Sequence, residues 1–273
     1  MSRRAWPRRA YAGVALLAAL GLLSVLGPAT GLLDPDAIDP TKVLAGPELA
    51  HPLGFDSTGR DVLSRLVVAY RASLVTAVAS VALALLVGGT VGLLAGYYRG
   101  WWDALLMRPV DMMLAFPALL LGVVLITILG RGSVTVILAV GGIYIPIFAR
   151  VVRSSTLTVA TGSYVDAARC RGSSDVRTIV RHVLPNSIGP AIVLTSILAG
   201  FAIQVEAALS FIGLGAQPPT PSLGGMLTEG NEFLTQAPLA LIFPGLAIVA
   251  TVAALLLIGD GLRTRLDPKG IAG

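Results

Sequence analysis

Cysteine, histidine, lysine and charge of either sign are all scarce in this 273-residue chain. The one thiol, Cys170, excludes an internal disulfide framework and any cysteine-built metal site. The two lysines, Lys42 and Lys269, do not follow a glycine-rich phosphate cradle, so the chain has no P-loop and cannot hydrolyse ATP by itself. No acid pair or serine-centred elbow stands inside an apolar run, and the two histidines, His51 and His182, fall in separate polar segments. Charged residues make up 13% of the chain, against about 25% in soluble domains. With 55% hydrophobic residues and a mean hydropathy of +0.82, a soluble globular class is excluded.

What is present is a series of long apolar runs. Tyr11 to Gly27, Ala72 to Tyr97, Met112 to Leu129, Gly132 to Ala149 and Pro238 to Gly259 approach or exceed the length a bilayer demands, about 20 apolar residues. A sixth, Ile188 to Gly215, is interrupted by Gln204 and Glu206. The expected organisation is an N-terminus and first span over 1–31, a polar loop over 32–71, five further spans over 72–260 and a tail over 261–273. Arg3, Arg4, Arg8 and Arg9 before the first run suit a signal peptide as well, but no small-x-small cleavage site follows, so an uncleaved span is expected. Pro117 and Pro146 should kink their spans. Gly88, Gly89, Gly92, Ala95 and Gly96 permit close helix approach in lipid.

Net charge is +5, and the basic residues sit in short segments between the runs, a pattern of membrane orientation rather than nucleic-acid binding. With the N-terminus cytoplasmic, 15 of the 20 Lys and Arg residues fall in inner segments, and only Lys42, Arg60, Arg65, Arg71 and Arg131 in outer ones. Both termini and the polar stretch Tyr164 to Asn186 are thereby expected in the cytoplasm. The loop at 32–71 is expected outside, with Ser57 or Thr58 capping a short amphipathic helix at its end.

The stretch Tyr164 to Asn186, YVDAARCRGSSDVRTIVRHVLPN, predicts two short helices joined by a turn. Ser163 and Asp166 fit a capping box. Gly172 can take the left-handed conformation that stops the first helix, and Ser174 and Asp175 suit the start of the second. Val176, Ile179, Val180 and Val183 form one apolar face with Arg177 and Arg181 turned elsewhere, and Pro185 is expected to end the helix. Two acidic residues stand out in apolar surroundings. Glu206 is expected to face a cavity or a partner, because a charge at mid-bilayer costs about 2.5–3.5 kcal/mol. Asp111 is expected to pair locally with Arg108.

Asp166-Ala167-Ala168, three residues, Gly172, nine residues, then His182-Val183-Leu184-Pro185 resembles the E-A-A-x3-G-x9-I-x-L-P loop of ABC importer membrane subunits. Asp166 replaces Glu with the charge kept. His182 replaces Ile, and with Asn186 it matches the R-H-V-L-P-N form of the dipeptide/oligopeptide permease branch. HPLGFDSTGRDVLSRL (His51 to Leu66), GYYRGWWDALLMRPVDMMLAFPALLL (Gly96 to Leu121) and EAALSFIGLGAQPPTPSLGGML (Glu206 to Leu227) resemble that branch in the same order, so the likeness runs from about His51 to Lys269. The first of these segments has Phe55 where threonine is more common.

The resemblance implies an all-α integral membrane protein with six transmembrane helices, in the type I ABC importer permease fold. It implies an ATPase-coupling role for Asp166, Ala167, Ala168, Gly172, His182, Leu184, Pro185 and Asn186, and a translocation path along the helix bearing Gln204 and Glu206. It further implies a second permease chain, two ABC ATPases, an extracytoplasmic binding protein and a bacterial inner-membrane location. The expected solutes are di- and oligopeptides, with nickel, glutathione or another small solute as the alternative. No cofactor is expected in this chain, ATP and Mg²⁺ belonging to the partner ATPases. An intramembrane hydrolase and a plain membrane anchor are the remaining, remote readings.

Overall fold

A computed structural model describes residues 7–29, 34–217 and 220–266, so expectations resting on Arg3, Arg4 and Lys269 lie outside the described residues. The secondary structure is helical, with two isolated β-bridges (Glu48–His51 and Phe55–Asp61) in the polar loop. Five helices are long and apolar enough to cross a membrane: α1 (Arg8–Ala29), α2 (Val62–Tyr98), α5 (Ser133–Val159), α9 (Gly189–Phe211) and α11 (Leu239–Leu266). A sixth span exists only as a broken pair, α3 (Gly100–Leu114) and α4 (Ala118–Leu129), bent by 99°. The shorter helices are α6 (Ser163–Cys170), α7 (Asp175–Thr178), α8 (Leu184–Ser187) and α10 (Leu223–Glu232).

The break replaces the single kinked span expected over 112–129. Pro117 has no N–H and biases Phe116 away from helical geometry, so the chain leaves the helix at Ala115 and restarts at Ala118. Alone, the 12 residues of α4 reach about 18 Å, short of the roughly 30 Å hydrocarbon core. Pro109, Pro146 and Pro244, by contrast, are absorbed inside α3, α5 and α11.

The expected separate amphipathic helix at the end of the polar loop is instead the start of α2, ten residues before the boundary the hydropathy suggests, just as α11 runs past 260. Asp61 caps it rather than Ser57 or Thr58: its carboxylate accepts from Ser64 N at 2.7 Å and Ser64 Oγ at 2.6 Å. Thr58 is already committed, its N and Oγ1 both donating to Asp56 Oδ1. At 37 residues α2 is about 55 Å long, far more than a bilayer core requires.

Helices α2 and α5 form the centre of the bundle and run parallel. Gly88, Gly92 and Gly96, spaced one turn apart, sit directly on the backbone of α5 at Ile145, Ala149 and Arg153, so any side chain there would drive the pair apart. A Cβ on Gly96 would also meet Thr156 Cβ at 2.8 Å. Around this contact the buried core gathers Phe148, Val152, Val140 and Ile143 of α5, Ile126 of α4 and Ile203 and Leu209 of α9. At the edge, α1 packs on α11, where a Cβ on Gly13 would meet Ala254 O at 2.6 Å.

Candidate functional site

The polar stretch folds as a helical hairpin at one end of α2. Helix α6 begins with Gly162 as its cap and Ser163 inside the first turn, and no side chain caps it, so the capping box does not form. Its end meets the expectation. Gly172 has φ +78°, Gly172 N donates to Arg169 O at 2.9 Å and Ser173 N to Ala168 O at 3.1 Å, which closes the helix in a Schellman turn. Ser174 precedes α7 with its backbone alone.

Pro185 does not end the second helix. The chain passes from α7 through a π-helical turn, Ile179–Val183, into α8, and Leu184 N reaches back to Ile179 O. The cause is the same proline: without an N–H it cannot serve the carbonyl four residues back, and the wider turn accommodates that loss. The apolar face consequently splits. Ile179 and Val183 are buried against the bundle, while Val176 and Val180 are 70% and 58% exposed. Of the other hairpin residues, Val165 and Ala168 are buried, His182 and Leu184 half-buried, and Asp166, Ala167, Pro185 and Asn186 exposed. Asn186 Nδ2 donates to His182 O at 2.6 Å. Cys170, the last residue of α6, is exposed as well.

A residue the sequence did not single out ties this hairpin to α2. Tyr97, buried at the end of that helix, donates its hydroxyl to Asp175 Oδ1 at 2.7 Å. The Arg169 guanidinium stands over the Tyr97 ring at 4.9 Å. Its hydrogen bond with Tyr97 holds that guanidinium above its ordinary pKa. The phenol is therefore held by both helices of the hairpin, Arg169 from α6 and Asp175 from α7. A cleft of about 330 Å³, lined by Tyr97, Tyr98, Arg99, Ala160, Arg169 and Asp175, opens beside it.

The far end of α2 is built differently. Arg65 of its first turn reaches both Asp56 of the polar loop and Glu229 of α10, and Arg60 adds a second contact to Asp56 at 3.0 Å. The Arg65 and Asp56 side chains are 5% and 6% exposed. Burial by itself would raise the Asp56 carboxyl. Hydrogen bonds from Arg60 and Thr58, with the Arg65 charge, outweigh it and hold the group below the ordinary carboxylate range. His51 closes the loop, its Nδ1 3.0 Å from Asp61 Oδ1.

Within the bundle, Glu206 is 3% exposed, and its Oε1 accepts from Ser210 Oγ at 2.8 Å. Gln204, two residues earlier, is exposed on another face of α9. Asp111 pairs with Arg150 of α5 at 2.8 Å rather than with Arg108, and Asp103 chelates Arg153 at 2.5 and 2.6 Å. Both pairs pin the break-side helix α3 to α5.

Comparison with known proteins follows the same lines. Residues 88–270 match the family described as binding-protein-dependent transport system inner membrane component. A glutathione transport system permease protein GsiD of Pectobacterium atrosepticum is 43% identical over 98% of this chain and 91% of its own length. The protein of the same description from Escherichia coli O6:K15:H31 is 44% identical over 82% of this chain and 74% of its own. Among solved structures, the inward-facing methionine ABC transporter MetNI contains a chain that superimposes with a TM-score of 0.62 at 18% identity, covering 74% of this chain and 96% of that one. At that identity the likeness speaks to the fold.

Proposed function

The chain belongs to the binding-protein-dependent transport system inner membrane component family, and from that premise we propose how it works within an importer. It is a membrane permease subunit with the type I importer fold, six spans counting the broken α3–α4 pair as one. Its hairpin is the seat for an ABC ATPase, and the observation that carries this is the division of one apolar stripe. Ile179 and Val183 anchor the hairpin in the bundle, and Val176 and Val180 are left outward. Leaving two valines in water has no purpose within this chain. They fit a hydrophobic groove on a partner, and Arg171, Arg177 and Arg181, exposed in the same hairpin, suit acidic neighbours.

The hairpin lies in the cytoplasm by the bias of basic residues, with both termini on the same side and the Asp56–Arg65–Glu229 end outside. A second permease chain completes the pathway, two ATPases supply ATP hydrolysis with Mg²⁺, and an extracytoplasmic binding protein delivers the solute. Short peptides are the solute class, and glutathione, itself a tripeptide, is the first to test because relatives of 43–44% identity are described as glutathione permeases.

The test is uptake by cells in which this chain is deleted and restored, offering labelled glutathione and a labelled dipeptide separately. Restored uptake of one of them, abolished by loss of ATP, supports the reading. Identical uptake of both with and without the chain overturns the peptide assignment.

A further inference from the structure

We infer that Tyr97 is the positioning residue through which movement of the hairpin is passed to α2. The inference rests on the coupling role proposed above and names the atom that carries it.

The Tyr97 contacts are a polar tie between the hairpin and a long helix not joined to it in sequence. Helices α5 and α9 lead directly into and out of the hairpin, so they follow it by chain continuity. Helix α2 does not, and 78 residues separate Tyr97 from Asp175. The hydroxyl bond to Asp175 and the Arg169 guanidinium over the ring hold the same side chain from α7 and from α6. A displacement of either helix of the hairpin therefore pulls on one phenol.

That phenol sits at the end of a stiff lever. Tyr97 is 5% exposed, and the neighbouring Gly96 lies against Arg153 O and Thr156, so the end of α2 is held to α5 with no slack. From Tyr97 to Arg65 is 32 residues of unbroken helix, about 48 Å. Arg65 in turn holds Asp56 of the polar loop and Glu229 of α10. The tie at one end and the buried ion cluster at the other are thus joined by a single element. A phenylalanine would fill the volume at 97 equally well. What the hydroxyl adds is a directional bond to a carboxylate at the start of α7, placed next to the open cleft beside Arg99 and Ala160.

The experiment uses the assembled transporter in lipid nanodiscs, with Cys170→Ser removing the native thiol and Leu49→Cys placing a reporter in the fully exposed turn of the polar loop. The rate at which a maleimide labels the introduced thiol is measured with and without ATP and vanadate, beside ATP hydrolysis. In the parent protein the labelling rate should change on ATP trapping. Adding Tyr97→Phe, which keeps the ring under the Arg169 guanidinium and removes only the hydroxyl's hydrogen bonds, should at least halve that change while subunit ratio and basal hydrolysis stay within twofold. Asp175→Asn should do the same, and the two together should be no worse than either alone.

If Tyr97→Phe leaves the ATP-dependent change intact, the tie is only structural and the inference is overturned. If it disperses the complex or stops hydrolysis, the residue serves assembly and the inference is equally overturned. A parent protein whose loop ignores ATP while Gly172→Val leaves subunit ratio and hydrolysis untouched instead overturns the coupling role of the hairpin itself, and the Tyr97 assignment with it.

Discussion

The two ends of α2 hold their neighbours by opposite means. At the Arg65 end the charges are buried: Arg65, Asp56 and Arg60 are nearly closed to solvent and knit the polar loop and α10 to the helix. At the Tyr97 end the ring is buried but its partners are not, since Asp175 and Arg169 both sit on an exposed hairpin. Removing one member of a buried pair strands a charge in low dielectric, at a cost of about 3–5 kcal/mol. Separating a solvated hydrogen bond costs far less, because water replaces the lost partner. The first arrangement is a clamp and the second a joint that can open. The coupling role proposed for the hairpin calls for a releasable contact at that end.

The largest effect should come from breaking the clamp. Arg65→Ala leaves Asp56 and Glu229 with Arg60 as their remaining cation, at 3.0 and 3.8 Å, and should destabilise the chain by about 3 kcal/mol, the low end for a broken buried pair. Thermal unfolding of the purified protein in nanodiscs reads this, and an unchanged midpoint would remove the distinction between the ends.

Next is the rod that joins them. Gly92→Val drives its side chain into Ala149 O and within about 3 Å of Arg153 N, and overpacking of this kind costs about 1–3 kcal/mol. It should weaken both ends together, lowering the unfolding midpoint and ATPase copurification alike. Loss of one without the other would mean that the ends are independent.

At the hairpin, Gly172 has φ +78° with no atom near its absent Cβ, so the cost of Gly172→Val is backbone strain alone, about 1–2 kcal/mol. Expression and insertion should stay near normal while ATPase association falls. Normal association together with normal uptake would make the hairpin a connecting loop.

The smallest effect is the pH dependence of the clamp. Asp56 is held below its ordinary value, so its contribution is present above about pH 4 and is lost as pH falls below that. Pepsin is active in that range and Phe55 is 5% exposed, whereas Leu49 is fully exposed. Cleavage at Phe55 relative to Leu49 should therefore rise on acidification. A constant ratio would show that Asp56 does not secure the loop.

Much of this was legible in one dimension because its causes are local. Apolar runs mark spans, and glycine at 172 marks a left-handed turn. What was not legible depends on residues far apart in sequence. Arg65 and Glu229 are 164 residues apart, and Asp111 found Arg150 rather than the adjacent Arg108 because α3 folds back on α5. The charge of Glu206 gave no sign of its hydrogen bond from Ser210 one turn along α9. Prolines misled in both directions. Pro117 broke its span outright, and Pro185 was absorbed by a π turn, because neighbouring helices decide whether the freed carbonyl can be served elsewhere. Tyr97 carries no local signal at all: a tyrosine at the end of an apolar helix reads as an interface residue until Asp175 is placed beside it.

The central claim is that Val176 and Val180 are the surface on which an ATPase docks. The direct measurement is affinity purification of the tagged chain from membranes that also contain its ATPases, wild type against Val176→Asp with Val180→Asp. Both positions are exposed, so the doubly substituted chain should reach the membrane in normal amount. It should arrive at the column with its partner permease but at least tenfold depleted in ATPase. Recovery of ATPase at the wild-type ratio would contradict it.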